Sequence, residues 1–384
     1  MLTLDRRLAL ASGFAAGLAP ALPAAAQGKD TMTDTKPYAA VAMQLMARSL
    51  EKIDNEDEAR AAIQRHIADI EGQIRGGAIF VQQYLGYPVK LAVLPEYLFT
   101  SYPGRISIPD FARKVGFAKD GPEYEALGAM AERLGMFVAG NAYESDADFP
   151  DFYFQTSFIV APSGDVVLRY RRLLSMFAPS PHDVWEKYLD IHGLEGVFPV
   201  ARTEIGNLAA IASEEILYPE IARALAFRGA EVFAHCSSEV GSPLATNKDV
   251  AKQARAYENM AYVVSANTAG IRDSMLPLAS ADGNSQIVDY KGMVLSESNS
   301  GETFTAFARI DLDGLRKARR VPAMTNYLAR QRPDLFARAY AAAAEDFHRP
   351  DGMMENGTPK VPDRDYFSRA QAAVIERLDK AGII

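Results

Sequence analysis

Three polar residues close apolar runs in this chain and could meet to do chemistry. Glu96 ends LAVLPE, Arg172 ends DVVLRYRR, and Ser213 opens SEEILYPEIAR after NLAAIA. A carboxylate can take a proton, a guanidinium can hold a developing negative oxygen, and a hydroxyl can attack a carbonyl carbon. Layered α/β folds place ligand-facing residues at such strand ends. Each residue taken singly has a plainer reading. A strand-end glutamate is commonly solvated or a cap, and an arginine after a hairpin strand is commonly a surface charge. A serine at the head of S-E-E-I is a good N-cap.

The elements that must carry these residues alternate between strand and helix. YAAVAMQL (38–45) predicts a strand. Asn55 or Asp54 caps a long helix whose Ala59, Ile63, Ile67, Ile70 and Ile74 recur at helical spacing, with Gly76-Gly77 as its stop. LAVLPE predicts a buried strand, Pro122 to Leu134 a helix stopped by Gly135, and MFVAGNAYE (136–144) a strand ending in Glu144. Residues 151–162 and 165–172 flank Ser163-Gly164 as a hairpin. Residues 173–199 read as a loop-rich stretch with Pro179, Pro181 and the only tryptophan, Trp185, placed to shape a pocket. A strand up to Ser213 and the helix PEIARALAFRGA follow. EVFAH, a helix through QARAYENMA, then YVVSAN, SQIVD and TAFARI complete the core. Strand–helix alternation with hairpins predicts a layered α/β protein, with its main domain over residues 38–315. Residues 316–384 turn Ala/Arg-rich and helical, an extension that packs on the core or on a second subunit.

The formal net charge of -8 and pI near 5.3 give no support to a nucleic-acid groove. The start, MLTLDRRLALASGFAAGLAPALPAAAQ, has the parts of an export signal: Arg6-Arg7, a mildly apolar stretch and the small-residue site Ala24-Ala25-Ala26. The paired arginines and weak hydrophobicity favour the twin-arginine route. Residues 1–26 are therefore expected to be cleaved, 27–37 to form a flexible lead-in, and the mature protein to reside in a bacterial periplasm, off the membrane. The single cysteine, Cys236, permits no internal disulfide and no Cys-based zinc site. The five histidines show no ligand spacing, so no metal is expected.

Together the segments resemble the nitrilase superfamily of carbon–nitrogen hydrolases over residues 38–320. LAVLPE is similar to the family's strand ending in Pro-Glu, and FIVAPSGDVVLRYRR to its hairpin ending in Tyr-Arg-Lys. NLAAIASEEILYPEIARALAFRGAEVF is similar to the nucleophile segment. QARAYENMAYVVSANTAG and GNSQIVDYKGMVL resemble the late helix–strand and hairpin segments, and RQRPDLF the segment after the core. The resemblance implies a four-layer αββα sandwich, a homodimer or higher homo-oligomer, a small-molecule substrate and no cofactor. It places Glu96 at the family's general base, Arg172 at its lysine and Ser213 at its nucleophilic cysteine. Glu144 falls at a second, supporting glutamate. Glu215, Tyr218, Cys236 and Ser238 lie in the segments that border the pocket, and Arg255 and Glu258 read as a helix pair.

Two of the three catalytic groups thus differ from the family pattern. A thiol of pKa near 8.5 is within reach of a tuned carboxylate, whereas a serine hydroxyl is a far weaker acid. Arginine can still stabilise an oxyanion but cannot exchange a proton. The expectation is a periplasmic hydrolase of a small amide or related acyl compound, working through Glu96, Arg172 and Ser213. A silent ligand-binding protein and a lyase or isomerase using Glu96 as base stand beside it. Cys236, 23 residues beyond Ser213, is expected to be a packed thiol.

Overall fold

The computed structural model describes residues 35–238, 247–275, 283–298, 301 and 306–384. The export signal and most of the lead-in lie outside the described residues.

Two sheets form the centre. The first holds β1 (Tyr38–Ala42), β3 (Val89–Val93), β4 (Phe117–Ala118), β5 (Phe137–Ser145), β6 (Tyr153–Val160), β7 (Val166–Arg171) and β15 (Ala306–Ile310). Its order is β15-β1-β3-β5-β6-β7, with β4 beside β5. The second holds β8 (Ala201–Thr203), β9 (Gly206–Ala212), β10 (Val232–Cys236), β11 (Tyr262–Ala266), β13 (Gln286–Val288) and β14 (Val294–Glu297), in the order β14-β13-β11-β10-β9-β8. Each sheet is built the same way. Three parallel strands, β1-β3-β5 or β9-β10-β11, sit inside antiparallel flanks. The short strands β2 (Met46–Arg48) and β12 (Gly270–Arg272) pair in parallel, and β16 (Met354–Glu355) pairs with β17 (Thr358–Pro359).

Strand alternation divides the core into two layers. Tyr38, Ala40 and Ala42 of β1 join Leu208, Ala210, Ala234 and Val264 between the sheets. Ala39 and Val41 face the other way, onto α1 (Glu56–Leu85), α2 (Ile108–Val115) and α3 (Pro122–Leu134). On the far side α5 (Pro219–Phe227) and α6 (Lys248–Asn259) pack Ile221, Leu225, Ala251 and Ala256 against the second sheet. The architecture is the four-layer αββα sandwich.

Helix α1 starts where expected, with Asn55 Oδ1 accepting from Glu58 N at 2.9 Å. It does not stop at Gly76-Gly77 but runs to Leu85 and ends at Gly86, φ +75. The apolar stripe explains the extension: Ile74, Gly77 and Val81 continue the buried spacing of Ile63, Ile67 and Ile70. One buried face outweighs about 1 kcal/mol of glycine cost per position. Helix α3 has the expected bounds.

The stretch expected to be loop-rich is largely helical. Ser180 and Asp183 form a capping box at 181–184, and α4 (Trp185–Val197) continues from it with a kink at Gly193. Trp185 packs against the layer between the first sheet and its helices. Helix α7 (Leu312–Arg320) begins before residue 316. In the rest of the extension, α9 (Tyr366–Lys380) buries Phe367 and Val374, whereas α8 (Pro333–Ala343) buries none of its residues. Arg364 ties the segment to the core through Ile106 O at 2.7 Å and Tyr153 Oη at 3.0 Å.

Candidate active site

The C-terminal ends of the central parallel strands converge, and the polar residues follow them directly. Beyond β3 the chain turns through Pro95, and Glu96 N donates to Ser237 O, just past β10, at 3.1 Å. This bond crosses from one sheet to the other, and the Glu96 side chain is completely buried. Its Oε1 accepts from Gln155 Nε2 at 2.5 Å and faces Arg172 Nη1 at 3.4 Å. Its Oε2 accepts from Ser238 Oγ at 2.7 Å.

Arg172 extends β7 by one residue, its N donating to Gln155 O at 2.8 Å. Alternation sends Tyr170 and Arg172 to one face and Arg169 and Arg171 to the other. The Arg172 guanidinium is engaged at all three nitrogens. Nε donates to Leu174 O at 2.7 Å, Nη1 to Gln155 Oε1 at 2.8 Å, and Nη2 to Glu214. Burial pulls its pKa down, but Glu96, Tyr97 and Glu214 more than reverse this, so the group is held in its charged form.

Ser213 follows β9 at φ +47, a backbone region that costs a non-glycine residue about 1–2 kcal/mol. It opens a short 3₁₀ turn, Ser213–Leu217, whose N-cap position is Ala212, so the N-cap reading of Ser213 fails. Three contacts hold the strained turn. His235 Nε2 bonds to Ser213 O at 2.7 Å, with Nδ1 against Ser265 Oγ at 2.8 Å. Burial pulls His235 down to about 3, so the ring is neutral, donates from Nε2 and accepts at Nδ1. Glu215 Oε1 accepts from Leu173 N at 2.7 Å and Leu174 N at 2.9 Å, and its Oε2 from Tyr170 Oη at 2.7 Å. Arg255 Nε donates to Ile216 O at 2.9 Å while Nη1 pairs with Glu258. Burial raises Glu215 to about 7.

Glu96, Arg172 and Ser213 thus share one polar cluster, with Glu215 and Ser238 inside it. Among the described residues Ser213 Oγ has no hydrogen bond to Glu96 or Arg172. Its partner is Lys248 Nζ, at 3.4 Å. Tyr218 is 44% exposed at the rim. Cys236, the last residue of β10, is fully buried, and burial raises its thiol pKa. Glu144 lies elsewhere, on Tyr124 Oη at 2.9 Å, Arg169 Nε at 3.1 Å and Arg171 Nη2 at 2.8 Å. A surface groove of about 790 Å³, lined by Arg60, Arg113, Lys119 and Asp148 among others, shares none of the cluster's residues.

Sequence reading passed over Gln155, Glu214, His235, Ser237 and Lys248. The pattern Tyr153–Gln155–Ser157 on β6 and the neighbours of Ser213 and Ser238 could have flagged Gln155, Glu214 and Ser237. His235 on β10 and Lys248, the first residue of α6, have no local signal; only the fold brings them to Ser213.

The carbon-nitrogen hydrolase family model matches residues 38–320. A nitrilase of Pyrococcus abyssi is 28% identical, over 60% of this chain and 80% of that protein. Deaminated glutathione amidase of Bos taurus is 26% identical, over 64% and 73%. Among solved structures, a carbon-nitrogen hydrolase from Helicobacter pylori superposes with a TM-score of 0.58 at 19% identity, covering 80% of this chain and 99% of that one.

Proposed function

The chain belongs to the carbon-nitrogen hydrolase family, and on that premise we propose that it hydrolyses a small amide or related acyl C–N compound at the Glu96–Arg172–Ser213 cluster. Ser213 is the nucleophile, Glu96 the general base and Arg172 the group that meets the developing oxyanion. In this reading Glu96 keeps the family's glutamate, and Arg172 and Ser213 stand in place of its lysine and cysteine. The observation that carries the reading is the strained backbone of Ser213 beside a charged Arg172 that bridges Glu96 and Glu214. Strain of this kind persists where the surroundings over-determine it, and it cluster at functional sites. The relatives named as nitrilase and amidase agree with the substrate class.

A silent anion-binding protein fits the cluster less well. A bound carboxylate would enter beside Glu96, Glu214 and Glu215, with Arg172 already engaged. A neutral amide brings no charge to ground-state binding, and its carbonyl need only displace the half-exposed Glu214 from Nη2 as charge develops. The N-terminal Arg6-Arg7 pattern supports export to the periplasm before this chemistry begins, and the family resemblance supports a homodimer.

The test is turnover of short aliphatic amides by the purified mature protein. Activity lost in Ser213→Ala and in Glu96→Gln supports the reading, and full activity in both overturns it. A ligand that raises the melting temperature without any turnover would favour the silent binder.

A further inference from the structure

Among the described residues the side chain that meets the Ser213 hydroxyl is Lys248, its Nζ donating to Oγ, and not Glu96. Lys248 enters from α6, is 7% exposed, and sets Nζ 3.4 Å from Ser213 Oγ and 3.3 Å from Ser237 Oγ. Ser237 is itself fixed. Its N donates to Ala266 O at 2.9 Å, and its O accepts from Glu96 N at 3.1 Å and from Thr268 Oγ1 at 3.3 Å. Ser238, the next residue, bonds Glu96 at 2.7 Å. Two adjacent serines thus hold the lysine to one side and the glutamate to the other. An amine matches a serine hydroxyl better than a carboxylate does, and serine–lysine pairs do nucleophilic catalysis on unrelated folds. Catalytic hydrogen bonds in a ligand-free site are commonly this long and tighten with substrate.

From this geometry we infer that Ser213 and Lys248 form a catalytic dyad, with Ser237 orienting the amine. The inference rests on Ser213 being the nucleophile and moves the proton of the first step from Glu96 to Lys248. In that first step Lys248 Nζ passes a proton to solvent and then takes the proton of Ser213 Oγ as Oγ bonds to the acyl carbon and the carbonyl pair shifts onto oxygen beside Arg172. As that pair returns, the C–N bond breaks and the nitrogen leaves with the proton from Lys248. Water then adds to the acyl carbon, giving a proton to Glu96. The C–Oγ bond breaks, and that proton returns through solvent to Oγ.

Labelling by a serine-directed fluorophosphonate tests the dyad apart from any amide. Intact mass and peptide mapping should show one adduct, on Ser213, absent in Ser213→Ala. Lys248→Met and Lys248→Arg should label at least ~100-fold more slowly, since neither side chain accepts the proton. Lys252→Met, one turn along α6, should label at the wild-type rate. A small primary amine added to Lys248→Ala should restore part of the rate, which a purely structural lysine would not allow. If the Met variant fails to fold, the Arg variant and the amine rescue carry the test. Wild-type protein unlabelled at Ser213, or labelling indifferent to Lys248, overturns the dyad. So does labelling lost in Glu96→Gln and kept in Lys248→Met. Lysine-dependent labelling without amide turnover keeps the dyad and removes the amide reading. Turnover with lysine-independent labelling does the reverse.

Discussion

Strand β7 carries two buried carboxylate–arginine clusters, one on each face, and they differ in kind. On one face Glu144 meets Arg169, Arg171 and Tyr124, and Arg171 also pairs with Asp146 at 2.6 Å. The Arg171 guanidinium lies over the Phe154 ring, 4.6 Å from its centroid. The side-chain partners there are charged or aromatic, Arg169 Nη2 also donates to Lys119 O, and Glu144, Arg169 and Arg171 sit on strands. On the other face Glu96 meets one arginine shared with Glu214, an amide and a serine hydroxyl, and a left-handed serine stands beside them. A buried ion pair is therefore a poor marker of a site. Hydroxyls, a lysine and a strained turn gathered at strand ends mark one.

The sharpest way to break this contrast is Ser213→Ala. It should lower turnover by at least ~10³-fold and leave the melting temperature within a few degrees of wild type. The opposite cluster should respond the other way. Glu144→Ala leaves Arg171 with Asp146 as its one carboxylate among the described residues and Arg169 with none, costing about 3–5 kcal/mol of stability by denaturant titration, with kcat per folded molecule kept. A loss of kcat out of proportion to folded protein would make Glu144 part of the chemistry after all. Glu96→Gln keeps the shape and removes the charge. Turnover should fall by roughly 10²-fold, with little change in urea midpoint.

The smallest effect concerns pH. Burial holds Glu215 near 7 rather than the usual 4.5. The unfolded chain gives up this proton first, so its contribution to stability is full below about pH 4.5 and declines as pH rises to about 7. Glu215→Gln keeps an oxygen for Leu173 N and Leu174 N, and its amide can donate to Tyr170. The melting temperature of the variant should decline less than that of wild type between pH 5 and 7; equal slopes would contradict the assignment.

Sequence made the strand–helix alternation legible, because buried strands and amphipathic helices leave local periodic patterns, while the four-layer order came from the family resemblance. It misjudged α1, where a pair of glycines looked like a stop but the buried stripe ran on. It misjudged 181–197 too, where two prolines suggested loop although one of them sits at a helical first turn. At the site, strand ends singled out Glu96, Arg172 and Ser213, and the family resemblance gathered them with Glu215 and Ser238. The same resemblance drew in Glu144, and strand alternation sends it to the other face. Lys248 and His235 could not be gathered, since their meeting with Ser213 is made by packing across 35 and 22 residues of chain.

The left-handed turn at Ser213 has an evolutionary corollary. Glycine alone takes φ +47 without steric cost, so Ser213→Gly would relax the turn while removing the hydroxyl. A population selected only for heat resistance would be free to lose the serine. Its retention under such selection, next to a growing demand for turnover, would show the position to be held by activity and not by the fold.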